Sequence, residues 1–318
     1  MRLSVPLATT SQKVSTYRLR RRLSDALTII LFLLPSLVLF VVFVLVPVVQ
    51  AAHYSLYKWN GLDALDNYIG LKNYRALFND PIFVQAIKNN FLIAILSLLL
   101  QLPAAIALAL LINRKLPGRT FFRTVFFLPY VLAPVVIGLI WAFIYNPSNG
   151  LITGLFHQFN PQATPPAYLA NPNTVMYAVF AAITWEFFGF HLVLYLAGLQ
   201  NIPEDVIEAA RVDGANPWQV IRHVTLPLLG STIRLSAFLS ILGSLQYFDL
   251  IYVMTLGGPA GTNASQVMAF YQYHFGLQEF RLGYGSAVGV VMFGLCFIFA
   301  LLYQRLVMRQ DLTGSSAL

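Results

Sequence analysis

Charge is scarce in this chain. Only 10% of its 318 residues are Asp, Glu, Lys or Arg, and its mean hydropathy is +0.69. Water-soluble domains carry about a quarter charged residues, so this composition argues against an ordinary water-soluble domain. Cysteine is nearly missing. Cys296 stands alone inside an apolar run; a single thiol can form neither an internal disulfide nor a cysteine-rich metal site, and it reads as a small core residue. The patterns of common chemistry are missing too. There is no Gly-Lys pair, hence no phosphate-binding loop. The histidines, His53, His157, His191, His223 and His274, show neither H-E-x-x-H spacing nor cysteine partners. A G-x-S-x-G elbow is absent. The reading is a non-enzyme with no catalytic residues, no metal site and no cofactor of its own.

What is plentiful is apolar length. Hydrophobic residues make up 58% of the chain, and a membrane-spanning helix needs about 20 in a row. Six runs qualify, near Ala26–Ala51, Ile87–Leu111, Thr124–Tyr145, Thr174–Leu199, Leu226–Thr255 and Gly283–Met308. The expected fold is all-α: a polytopic membrane protein of six transmembrane helices. The first run follows the basic stretch "RLRRR" (Arg18–Arg22). A signal peptide has an apolar core of about 7–15 residues, so this longer run reads as a retained anchor. Residues 1–25 then form a basic tail, 26–308 the membrane domain and 309–318 a second tail.

The net charge of +8 reports orientation rather than nucleic-acid binding, because cytoplasmic segments of membrane proteins retain Lys and Arg. With the N-terminus inside, the inner segments hold Arg2, Lys13, Arg18, Arg20, Arg21, Arg22, Arg114, Lys115, Arg119, Arg123, Arg211, Arg222, Arg305 and Arg309. The outer ones hold Lys58, Lys72, Arg75 and Arg281. Both termini are therefore expected in the cytoplasm. Prolines 35, 47, 103, 129 and 134 interrupt the runs; each should bend or end a helix.

The inner segment 201–227 is unusual for its charge. Pro203 suits a first helical position, and Glu204 and Asp205 favour a helix N-terminus. Gly214 fits a C-terminal cap; Asn216 and Pro217 fit the start of a second short helix. Ala209, Ala210, Gly214 and Ala215 admit close approach of another backbone. Glu208 and Asp213 can pair with a partner's cations, although Glu208 and Arg211 can also pair with each other. This stretch, "EAARVDGANPWQVIRHVTLP" (Glu208–Pro227), resembles the EAA loop of ATP-binding-cassette (ABC) importer permeases. The matching residues are Glu208, Ala209, Ala210, Asp213, Gly214, Ala215, Leu226 and Pro227. The family usually has phenylalanine where Ile221 stands. "SLYKWNG", "YIGLKNY", "FFRTVFFLPYVLAPVVIGLIWAFIYNPSNGLI" and "LQYFDLIYVMTLGGPAGTN" resemble permeases for oligosaccharides and polyols. The resemblance implies a cytoplasmic coupling helix in the loop and a bacterial cytoplasmic (inner) membrane location. It also implies a second homologous permease, two ATPase subunits that carry ATP and Mg, and an extracytoplasmic sugar-binding protein. A glycerophosphodiester or other polyol derivative is an alternative cargo. A secondary transporter driven by an ion gradient is the rival class, but matching interrupted halves are not evident.

Polar groups inside a span face a cavity or a partner. Glu186, with Phe187, Phe190 and His191, clusters in the fourth run. Within the fifth run Ser240, Ser244 and Tyr247 at i, i+4, i+7 share one helix face, with Gln246 and Asp249 on another. Glu186, Phe187, Phe190, Ser240, Ser244 and Tyr247 are the candidate lining of a solute path; hydroxyls and aromatic rings suit a sugar. Gly285 and Gly289 form G-x-x-x-G, read as packing within the chain. Phe270, Tyr271, Tyr273, His274 and Phe275 suggest an aromatic belt at the membrane surface.

Overall fold

The computed structural model describes residues 28–113, 118–159, 165–259 and 262–308. The basic tail 1–25, the tail 309–318, and the inner cations at 114 and 115 lie outside the described residues. The chain divides into two compact units, Met1–His53 and Tyr54–Leu318.

The first unit supplies most of helix α1 (Thr28–Tyr54), whose apolar window has a mean hydropathy of 3.3 and no buried share. Side chains such as Leu31, Phe32 and Phe43 are exposed. A helix apolar on every side is solvated by hydrocarbon, not water.

The regular elements of the second unit are helices, with one isolated bridge, Tyr57 to Tyr68, as the extended pairing among the described residues. Helix α2 (Lys72–Asn79) leads to the long α3 (Pro81–Ile112). Asp80 caps α3 by accepting from the Ile82 amide at 2.8 Å, and Pro81 fills the first position, where its missing donor costs nothing. Helices α4 (Arg119–Val131) and α5 (Pro134–Ile144) meet at a bend of 98°. Pro134 forces Ala133 into extended geometry (ψ 134°), so the helix cannot run through. A short α6 (Leu151–Phe159) precedes α7 (Val175–Gln200). Helix α8 (Glu204–Val212) and α9 (Pro217–Leu228) lead into α10 (Gly230–Leu245), bent by 64° from α9. The short α11 (Asp249–Met254) and α12 (Met268–Tyr273) precede the last span, α13 (Leu282–Val307).

Four helices, α1, α3, α7 and α13, are individually long and apolar enough to cross a membrane. Six spans result only if the bent pairs α4–α5 and α9–α10 each cross as one. The fifth run is thus not one continuous helix: it breaks at Leu229 and ends at Leu245.

Three prolines act in a common way that the sequence reading did not anticipate. Pro47, Pro103 and Pro227 each stand two residues beyond a π-helical turn: Val41–Leu45, Ser97–Gln101 and Ile221–Thr225. A proline ring clashes with the carbonyl four residues earlier. That carbonyl, at 43, 99 or 223, lies at the middle of each turn. Widening the helix by one residue relieves the clash without breaking the rod.

Packing in the second unit relies on close backbone approach. A Cβ at Gly189 of α7 would stand 2.0 Å from the Phe126 carbonyl oxygen of α4. The G-x-x-x-G of α13 is packed inside the chain: a Cβ at Gly285 would lie 2.5 Å from Gly276 Cα, and one at Gly289 2.7 Å from Gln272 Nε2. The aromatic-belt expectation needs correction. Phe270 and Tyr271 are core residues, 5% and 0% exposed. Tyr271 donates to Asp80 Oδ2 at 2.6 Å and bonds the Tyr284 hydroxyl at 2.7 Å.

Candidate functional site

A cavity of about 350 Å³ opens among α3, α4, α7, α10 and the turn after α10. Phe187, Phe190, Ser240, Ser244 and Tyr247 all line it. The reason differs from the one the sequence offers. Because α10 stops at Leu245, Tyr247 does not share a helical face with Ser240 and Ser244. Instead the chain turns at Gln246 (φ −109°, ψ 8°) and delivers Gln246, Tyr247 and Asp249 to the same cavity wall. The expected separation of Gln246 and Asp249 onto another face is therefore corrected: both face the cavity.

Glu186 stands behind this wall. It is 5% exposed and accepts a hydrogen bond from the Tyr247 hydroxyl at 3.1 Å. That bond is the partner a carboxylate inside a span requires. Ser244 is partly committed elsewhere. Its hydroxyl donates to the Ser240 carbonyl at 2.8 Å, and its own carbonyl accepts from Asn90 Nδ2 at 2.6 Å. His191 also faces the cavity, but its Nδ1 lies 2.8 Å from Ser236 Oγ, which in turn receives the Tyr195 hydroxyl at 2.8 Å. Tyr130 of α4 stacks on Phe190, ring centres 5.1 Å apart at 28°. Apolar ring faces and hydroxyl or amide groups thus alternate around one space.

Among the lining residues that escaped the sequence reading are Ser97 and Gln101. Both sit in the π turn of α3, each 2% exposed. Gln101 Nε2 is buried with no hydrogen-bond partner. Their signal was available: two polar residues four apart in an apolar run, just before Pro103.

The segment 201–227 forms the pair of short helices anticipated, displaced by one residue at its start: Pro203 is the cap and Glu204 the first helical residue. Gly214 takes φ +87°, which suits glycine. The Ala215 amide bonds the Ala210 carbonyl and the Gly214 amide bonds that of Arg211, both at 3.0 Å, closing α8 as a Schellman motif. Asn216 and Gln219 form a reciprocal capping box that opens α9 at 2.9 and 2.8 Å. The end of α8 and the start of α9 are thus capped by residues within the element itself.

Glu208, Ala209, Arg211, Asp213, Gly214 and Pro227 are exposed; Ala210, Ala215, Ile221 and Leu226 are partly so. Nothing lies within 4 Å of where a Gly214 Cβ would stand. Val212 and Trp218 are strongly exposed, at 87% and 64%. Ala215 and Ile221, together with Arg211 and Trp218, line a cleft of about 810 Å³ between this element and the ends of α3 and α7. Ile221 therefore points partly inward. No cluster of three or more metal-ligating side chains occurs among the described residues.

These apolar helices, with a cavity of mixed polarity among them and a self-capped charged element between two of them, define a polytopic α-helical membrane transport protein. The family described as binding-protein-dependent transport system inner membrane component matches residues 101–311. The chain belongs to that family and is an ABC importer permease subunit of the inner membrane. It is 36% identical over 82% of its length, and 89% of the relative's, to the probable ABC transporter permease protein YurN of Bacillus subtilis (strain 168). It is 32% identical to the diacetylchitobiose uptake system permease protein NgcF of Streptomyces coelicolor (strain ATCC BAA-471 / A3(2) / M145), over 89% of this chain and 83% of that one. A chain of a bacterial alginate ABC transporter, solved in complex with an alginate pentasaccharide-bound periplasmic protein, superposes with a TM-score of 0.80 at 25% identity. The match covers 92% of this chain and 98% of that one.

Proposed function

We propose that this chain forms half of the inward path for an oligosaccharide or related polyol and couples that path to ATP hydrolysis on separate subunits. The carrying observation is the continuity of the rod. The element Glu208–Pro227 is closed by its own caps, passes through the π turn before Pro227 and continues after one bend into α10. Helix α10 and the turn after it bring Ser240, Ser244 and Tyr247 to the cavity. A rigid-body shift of the loop therefore reaches cavity-lining side chains through a single 64° bend at Leu229.

In this reading a second, similar permease supplies the other half of the path. Two ATPase copies, which hold ATP and Mg²⁺, engage the loops of the two permeases, and this chain binds no cofactor. Glu208, Asp213 and Arg211 offer charge; Ala209, Ala210 and Gly214 offer close approach. An extracytoplasmic binding protein delivers the solute on the opposite side, and both termini are cytoplasmic. Carbohydrate cargo is supported by the alternation of ring faces with hydroxyl and amide groups, and by the uptake of diacetylchitobiose assigned to one relative.

The test uses two substitutions at one position. Asn tolerates positive φ, so Gly214→Asn should assemble with the ATPase and keep solute-stimulated ATP turnover. Gly214→Trp places bulk on an open surface and should lose co-purification of the ATPase. Normal assembly and turnover in Gly214→Trp would refute the coupling assignment.

A further inference from the structure

We infer that the cavity selects uncharged glycans and rejects anionic ones; this rests on the proposed function and narrows its cargo. Alginate, the cargo named for the matched transporter structures, is an acidic polysaccharide, so membership in this fold leaves cargo charge undetermined. The half of the path that this chain lines carries a charge preference of its own. Asp249 faces the cavity and is exposed within it. Glu186 lies directly behind the wall, bonded to the lining residue Tyr247. No lysine or arginine is among the described residues that line it. The histidine there, His191, is 3% exposed and engaged with Ser236.

A carboxylate or phosphate on a cargo would have to leave water and meet like charge here. An unpaired anion is costly to desolvate, and recognition of carboxylate or phosphate calls for a guanidinium fork or an ammonium. This chain's described lining supplies neither. A neutral sugar hydroxyl, by contrast, both donates and accepts. Asp249 and the Gln246 carbonyl can accept from it. Gln101 supplies the complementary donor: its Nε2 is held in a residue 98% buried (2% exposed), lining the cavity and lacking a partner. A buried amide without a partner is expensive, and a sugar oxygen would satisfy it. Gln101 is thus assigned as a cargo-binding donor in the cavity that Asp249 also lines.

The experiment uses the whole complex, with partner permease and ATPases, in lipid nanodiscs. Saturation-transfer NMR is recorded with a panel of neutral di- and trisaccharides, with uronate-containing counterparts of equal length, and with glycerol 3-phosphate. At least one neutral member should engage, with uronates and the phosphate ester at least tenfold weaker. Asp249→Asn should narrow that gap. Gln101→Glu, nearly isosteric, should abolish the neutral signal while the subunits still co-purify. Anionic members engaging as well as neutral ones would overturn the inference and leave the carbohydrate reading standing. So would a neutral signal unchanged by Gln101→Glu. Absence of any saccharide signal, with Gly214→Trp still uncoupling the ATPase, would overturn the carbohydrate reading and this inference together.

Discussion

The Tyr247 hydroxyl donates to Glu186 Oε2 at 3.1 Å, joining the turn after α10 to the middle of α7. Both residues are buried, at 9% and 5% exposure. The bond fixes where the cavity wall stands, because Tyr247 lines the cavity and Glu186 does not. Tyr247→Phe keeps the ring but orphans the carboxyl. Leaving a buried polar group unsatisfied costs about 1–3 kcal/mol, so thermal unfolding of the detergent-purified complex should shift down accordingly. Adding Glu186→Gln should recover part of the loss, since a neutral amide is cheaper to bury than a carboxylate. A double mutant no more stable than Tyr247→Phe would show that the carboxyl is satisfied by another route.

Asn90 holds three elements together. Its Nδ2 donates to the Ser244 carbonyl at the end of α10 (2.6 Å), and its Oδ1 accepts the Met268 amide at the start of α12 (2.9 Å). Asn90→Leu matches the volume and removes both bonds, at about 1–3 kcal/mol for each orphaned group. Asn90→Asp keeps the acceptor for Met268 but sets a carboxylate oxygen against the Ser244 carbonyl. Both variants should melt lower than wild type, and both should impair solute-stimulated ATP turnover more than assembly, because Ser244 lines the cavity.

The legibility of the sequence was uneven for physical reasons. Apolar runs declare spans because hydrocarbon accepts little else, and the segment 201–227 declares its helices because its caps are local: Asn216, Gln219 and Gly214 act on neighbours within a few residues. What failed was non-local. Nothing in "SLQYFD" says that α10 stops at Leu245, where the Ser244 carbonyl accepts from Asn90, 154 positions earlier in the chain. Phe270 and Tyr271 look like surface aromatics until Asp80 and Tyr284 are found beside the Tyr271 hydroxyl. Ser97 and Gln101 stand out as a polar pair in an apolar run, but only the fold shows that α3 brings both to the cavity.

Tyr271, in α12 outside the spans, has its hydroxyl pKa raised well above the usual phenol value. Burial is the main cause, followed by donation to Asp80 and the bond to Tyr284. The folded state therefore binds this proton more tightly than the unfolded chain. The contribution is complete below the ordinary value of 10.0 and is lost as pH climbs beyond it. Tyr271→Phe should accordingly lower stability near neutral pH while flattening its decline above about pH 10. Melting temperature against pH for the two proteins checks the sign: an equally steep alkaline decline in the variant would show that other groups set it.

Val212 and Trp218 flank the Gly214 turn and expose more apolar surface than any neighbouring residues in that element, 87% and 64%. Both sit where local capping has already fixed the backbone, so their exposure is not a consequence of a loose loop. Buried aromatics at the centre of an interface commonly carry most of its binding energy, with truncation costing about 2 kcal/mol or more. If the ATPase receives this knob, Trp218→Ala should weaken its association by about thirtyfold, following from that energy at about 1.4 kcal/mol per factor of ten. Val212→Asp should also weaken it, by setting an unpaired charge against the partner. A charge change at Arg222, exposed but farther along α9, should do less. The measurement is ATPase retention on the immobilised permease pair across a salt series. Attraction through Glu208 and Asp213 alone would fade with salt, whereas a knob seated by apolar contact would not, so salt-resistant retention that vanishes with Trp218→Ala identifies the apolar contact as the seat of coupling.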